Sequence, residues 1–261
     1  MRMRKTAPGD LPALKALWAQ AFGDAEAEID AFFEALYPEA LGFCAEEDGQ
    51  PIAMLYALPV TAAHDETAVR AAYLYAVATE EAHRGRGICR ALMEFAEREL
   101  QKRYFSCLLL VPADEHLAQY YESLGYARQT GCSVRQLRVD APKGRALPVS
   151  VPDYAGLRET MLFDVPHVRY PKAMLDYEST RAKLYRLELG YDLGCAAVSV
   201  QDGVAVVEEL LPDLRMLPAL AAEIPAERYI VRTPGRDGLS CMAKWLDKTA
   251  FGPVWLAFPF D

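Results

Sequence analysis

Tyr73-Leu-Tyr-Ala-Val-Ala-Thr79, then Arg84-Gly-Arg-Gly-Ile-Cys89, then an amphipathic run to Leu100: this stretch decides the fold. An apolar strand ends, a short polar loop turns, and two glycines stand where a helix must begin. The first amides of a helix have no intrahelical acceptor and carry partial positive charge. Grouped at a turn, they form a receptor for phosphate oxygens. Gly85 and Gly87 lack Cβ atoms, so a bulky anion can come close to the backbone. A Walker A loop requires Lys and then Ser or Thr after its last glycine; Ile88 and Cys89 follow Gly87, which excludes it. A dinucleotide fingerprint wants a third glycine where this chain has Arg90, which weakens that reading.

What remains is Arg84-x-x-Gly87-x-Cys89, and it resembles the pyrophosphate loop of the GNAT superfamily of N-acyltransferases. The family pattern is Gln or Arg, two residues, Gly, one residue, then Gly or Ala, after a Val-x-Val-like strand. Cys89 departs from it by replacing the last small residue, and its own size is small. A second resemblance lies about thirty residues on. Tyr120-Tyr-Glu-Ser-Leu-Gly-Tyr126 is similar to the Phe-Tyr-Glu-Lys-Leu-Gly-Phe segment that closes many GNAT cores. Between the two, Ile88, Ala91, Leu92, Phe95, Ala96 and Leu100 keep helical spacing. Tyr104–Val111 reads as a buried strand, and Asp114 and Gly125 as the caps of a further helix.

Upstream, Asp10 and Pro12 mark a helix start, and Asp24 a second. Phe32, Phe33 and Tyr37 read first as core, with substrate contact as the alternative. Gly42–Ala45 and Ile52–Val60 flank an Asp48-Gly49 turn and read as a hairpin, and Val69–Thr79 as the strand before the loop. Tyr126–Thr130 and Ser133–Val139 read as a closing strand pair, and Asp140–Pro148 as a linker.

These residues alone give mixed α/β; the resemblance implies an α/β GNAT acyl-CoA N-acyltransferase fold with an α+β mixed sheet. The expected division is a catalytic domain over 1–140 and a smaller α/β domain over 149–261. In the second, 184–189, 195–200, 204–211, 228–233, 240–245 and 254–258 read as strands and 217–224 as a short helix; this repeats the order strand, hairpin, strand, helix, strand and reads as a degenerate GNAT-like unit, with an unrelated α+β domain as the alternative. After Leu211 comes Pro-Asp-Leu-Arg-Met, without glycine, so a single coenzyme site per chain is expected.

The chain has 261 residues, a formal net charge of −9 and six cysteines without C-x-x-C pairing. No basic stripe suggests nucleic acid. No apolar run reaches the ~18 residues of a membrane span. No signal-peptide pattern follows Met1–Lys5, so a cytoplasmic protein is expected. Neither the cysteines nor the four histidines show metal spacing, so no metal is expected.

The resemblance implies acetyl-CoA as cosubstrate and an N-acetyltransferase acting by direct attack of a primary amine, on a small molecule or a peptide. Val77, Ala78 and Thr79 would border the pantetheine and thioester, and Arg84, Gly85, Arg86, Gly87, Ile88 and Cys89 would hold the diphosphate. Tyr121 matches the tyrosine that protonates the departing thiolate. Glu46, Glu47, Glu80 and Glu81 are open as bases. A non-catalytic acyl-CoA-binding regulatory module is the alternative. The sequence carries no code for the acceptor or the oligomeric state.

Overall fold

A computed structural model describes residues 1–258. The first half runs β1 (Arg2–Lys5), α1 (Leu11–Phe22), α2 (Glu26–Ala35), β2 (Leu41–Glu47), β3 (Gln50–His64), β4 (Thr67–Thr79), α3 (Ile88–Gln101), β5 (Cys107–Leu110), α4 (Glu115–Glu122) and β6 (Ala127–Leu137). The second runs β7 (Arg145–Pro148), α5 (Val151–Met161), β8 (His167–Arg169), α6 (Lys172–Arg181), β9 (Lys183–Leu189), β10 (Asp192–Gln201), β11 (Val204–Leu211), α7 (Leu217–Glu223) and β12 (Arg228–Trp245).

Strand pairing repeats between the halves. β1, β2, β3 and β4 pair antiparallel in succession, and β4 then pairs parallel with β5. In the same way β7, β9, β10 and β11 pair antiparallel, and β11 pairs parallel with β12. Both parallel crossovers carry a helix, α3 or α7, as parallel connections require. Each third hairpin also carries a register shift, between Met54 and Tyr56 in β3 and between Ala197 and Val198 in β10. The extra residues sit on β4 and β11, where Ala76 reaches φ +49° and Glu208 is left out of register.

Two features depart from the expected strands. The pair expected over 126–139 is one strand, β6, and the strands expected at 228–233 and 240–245 are one long strand, β12. β6 pairs along β12 at both ends, through Tyr229 with Leu137 and Ala243 with Ala127. The last turns of β12 also pair with β5, Met242 opposite Leu110 and Trp245 opposite Cys107. A C-terminal strand therefore lies beside β5 and pairs with β6; periodicity cannot register a partner so far along the chain. The tail of the expected linker, Arg145–Pro148, is β7, paired with β9. Val254–Phe258 makes an isolated bridge, His167 with Trp255, rather than a strand.

Both faces of the strands are covered. Leu14, Trp18, Ile29 and Phe32 of α1 and α2 share a core with Tyr154, Met174 and Leu175 of α5 and α6. On the opposite face α3 and α4 bury Ile88, Leu92, Ala96, Leu100 and Ala118, and α7 buries Leu217 and Leu220 in a third cluster. Burial of each such side chain contributes about 1.5–3 kcal/mol. Phe32 and Phe33 are core, packed against Trp18 and Tyr56, as their spacing suggested. Asp24 does not cap α2; it accepts the Trp18 indole N–H at 2.7 Å, and Glu28 instead caps the first amide.

Beneath the second half lies an ionic knot. The Glu209 carboxylate accepts from Tyr154 Oη (2.6 Å), Arg158 Nε (2.8 Å) and Trp255 Nε1 (2.7 Å). It joins α5, β11 and the C-terminal segment, and Arg158 also donates to the Val168 carbonyl at 2.6 Å.

Candidate active site

β4 and β5 pair only through Ala71–Tyr73 and Cys107–Leu109; beyond Tyr73, β4 continues to Thr79 bonded to β3 alone. The two strands thus part toward the glycine loop and leave one edge of Leu74–Thr79 without a strand neighbour. The shift at Ala76 turns the backbone just before Val77, Ala78 and Thr79. Val77 is half-buried against the α3 core, Ala78 is buried, and the Thr79 hydroxyl is buried without a hydrogen bond. Nothing in the composition of this strand signals the shift, since alanine rarely adopts positive φ.

Across the loop, Arg84 Nε donates to the Thr79 carbonyl at 3.1 Å, closing the turn back on the strand. Gly85 and Gly87 adopt φ +75° and +74°, the left-handed region that favours glycine. An ideal Cβ at either position meets no atom within 4 Å, so the space in front of both is open. Gly87 is the N-cap of α3 and accepts from the Ala91 amide at 3.1 Å, the first amide to find an acceptor in the helix. Among the described residues the amides of Gly85 through Arg90 have no backbone partner. Ile88 anchors the turn in the core, and Arg90 reaches across to Ser123 Oγ at 2.9 Å, fastening α3 to the end of α4.

Arg86 does not face the loop alone. It forms a two-pronged pair with Glu47 (2.9 and 3.2 Å), while His83 bridges Glu47 (3.2 Å) and Glu80 (2.8 Å). Arg86 holds the Glu47 carboxyl below its usual range. Of the four glutamates open as bases, Glu46 is bound by Arg4, Glu47 and Glu80 are engaged as described, and Glu81 is exposed. Glu47, held ionised by Arg86, is thereby a weaker proton acceptor than a free carboxylate.

Asp114 caps α4, accepting the Leu117 amide at 2.7 Å, and Gly125 ends that segment at φ +90°. Tyr121 lies in the core under α3, 7% exposed, with its ring against Tyr120 and Tyr126. Burial pushes its phenol far above its usual range, so it keeps its proton at any physiological pH. Tyr120 is half-buried with its hydroxyl at the Cys89 thiol. Burial raises the Cys89 thiol too, and the Tyr120 contact and Arg90 offset this only in part. A helix N-terminus tends to acidify a thiol, but desolvation prevails here, in keeping with a small packing residue.

A split parallel pair, a left-handed glycine turn and a helix N-terminus thus open onto one crevice. Residues 2–128 match the model described as the acetyltransferase (GNAT) domain, and the first half of the chain is a GNAT domain. The fold is shared across both halves. A GCN5-related N-acetyltransferase from Anabaena variabilis is 13% identical, aligned over 94% of this chain and 73% of that one, with a TM-score of 0.77. A probable N-acyltransferase from Enterococcus faecalis is 17% identical over 94% and 72%, TM-score 0.74. Eis1 from Mycobacterium abscessus is 13% identical over 95% and 74%, TM-score 0.69. No curated protein matches the sequence. The aligned share extends beyond residue 149, so the second half shares the fold of these neighbours as well. No helix among the described residues is long and apolar enough to cross a membrane.

Proposed function

We propose that the protein is an acetyl-CoA-dependent N-acetyltransferase that acetylates a primary amine by direct attack within a ternary complex. The observation that carries this reading is the run of unpartnered amides at residues 85–90, opening beside the parted ends of β4 and β5. The diphosphate of the coenzyme would lie on the amides of Gly85–Cys89, where two Cβ-free positions leave room for it. The pantetheine arm, itself an amide chain, would run along the free edge of β4 like an added strand.

The amine must attack as the free base, and an alkyl ammonium has a pKa near ~10. Its nitrogen bonds to the thioester carbon, and an amide N–H around Val77–Thr79 stabilises the oxyanion. Such a donor contributes roughly 3–4 kcal/mol to lowering the barrier. Collapse breaks the C–S bond. The thiolate takes a proton from Tyr121, the amine nitrogen releases one to solvent and Tyr121 recovers one from solvent, giving the N-acetyl amide and free CoA. Burial keeps Tyr121 protonated, so a proton is present for the departing thiolate to take.

In this reading residues 1–140 form the catalytic unit, completed by the end of β12, and residues 149–261 a second GNAT-like unit without a coenzyme loop. The chain between β11 and α7 contains Pro212–Met216 and no glycine. The test is free-thiol release from acetyl-CoA with a panel of primary amines, small and peptidic. Amine-dependent release supports the proposal. Tight CoA binding with no release above the rate of hydrolysis for any amine supports the regulatory module instead.

A further inference from the structure

The second half repeats the strand split of the first but surrounds it with different chemistry. β11 and β12 pair in parallel only through Val204–Val207 and Arg228–Val231, then part, and Glu208 stands at the register shift on β11. On the α6 side of this split lies a cavity of about 640 Å³, within the ~300–1,000 Å³ of small-molecule sites. Glu178 of α6 lines it, 5% exposed, and among the described residues its carboxylate has no hydrogen bond or ion pair within 4.0 Å. Arg232 of β12 lines the same cavity; its Nε is buried without a hydrogen bond, beside the Cys132 thiol. Arg181, Ser199, Gln201 and Glu208 line it as well, and Val134 and Val200, 51% and 52% exposed, give it an apolar side together with Ile230 of β12.

A buried carboxylate and a buried guanidinium nitrogen that both lack a hydrogen bond are costly in an unliganded protein. A ligand that brings an ammonium to the first, an acidic oxygen to the second and an aliphatic or aromatic body to the valines removes both costs and covers the apolar side. We infer that the cavity beside Glu178 and Arg232 is a binding site for a small zwitterion with an apolar side chain, of the free α-amino-acid type. Burial pushes Glu178 up to about 7, with Arg181 favouring its ionised form and Glu208 opposing it, and an ammonium beside it shifts it toward the carboxylate. No residue of the loop at 84–89 or of Val77–Thr79 lines this cavity, so the inference does not rest on the acyl-transfer reading.

The test is calorimetric titration of the full chain, without acetyl-CoA, with L-leucine, L-methionine and L-phenylalanine at up to millimolar concentration. At least one should bind saturably. Its counterparts lacking the amine (4-methylpentanoate for leucine) or the carboxylate (3-methylbutylamine) should bind at least tenfold more weakly. Glu178→Gln and Arg232→Gln should each weaken binding at least tenfold while CoA affinity stays unchanged. Val200→Trp, at an exposed rim position that asks nothing of the core, should do the same by filling the mouth, and it keeps the site testable should either polar variant misfold. Absence of saturable binding by all three amino acids overturns the inference. So does binding that is indifferent to the mouth-filling variant, because the ligand then sits elsewhere.

Discussion

Replacing Gly87 by Ala separates the backbone's need for glycine from the ligand's. Gly87 sits at φ +74°, and an ideal Cβ there meets nothing within 4 Å. The folded protein therefore bears no clash, only the cost of holding an L-residue in the left-handed region, roughly 1–2 kcal/mol. The new methyl projects into the open space before the unpartnered amides. If that space is where the diphosphate approaches, CoA affinity falls at least tenfold, about 1.4 kcal/mol of binding free energy, beyond the change in stability. Gly9→Ala is the control: its Cβ also meets nothing within 4 Å, its φ is not in the left-handed region, and it lies far along the chain from the loop. It should change neither stability nor affinity by more than ~0.5 kcal/mol. Urea unfolding reads the first quantity and calorimetric titration with CoA the second. A folded Gly87→Ala variant that binds CoA within twofold of the parent refutes the reasoning.

Three other outcomes follow from the structure. Tyr121→Phe should lower kcat about 100-fold or more with CoA affinity unchanged; a loss under threefold in amine-dependent thiol release removes Tyr121 from the chemistry. Arg158→Met strips the guanidinium from the fully buried Glu209 and should cost about 3–5 kcal/mol in urea unfolding; a loss below ~1 kcal/mol contradicts the knot's role. Glu178 ordinarily titrates near 4.5 and is raised to about 7 by burial, so between these values the folded state holds a proton the unfolded state has lost. Stability should fall as pH rises through that window, by on the order of 3 kcal/mol, and Glu178→Gln should flatten this slope; equal slopes in the two proteins count against it.

Much of the first half was legible because its signals are local. The apolar spacing of α3, the glycines at its start and the Asp114 cap are each set by residues within a turn or two, and each forms where the sequence places it. The expected strand pair over 126–139 was not, because β6 pairs with β12, and the strand beside β5 comes from residues 242–245, more than a hundred positions away. β7 was hidden in a Pro- and Gly-bearing segment that pairs only because β9 lies next to it. At the site, the loop was readable but the parting of β4 from β5 was not: Ala76 takes a conformation that nothing about an alanine announces. The same holds for Glu178, whose neighbours on α6 give no sign that its carboxylate is enclosed without a partner.

A crystal structure of the protein grown with excess CoA bears most directly on the account. The coenzyme's diphosphate oxygens should lie about 3 Å from at least three amides of residues 85–89, with the pantetheine between the parted ends of β4 and β5. A coenzyme bound elsewhere, or a loop whose amides turn away from the diphosphate, would contradict it.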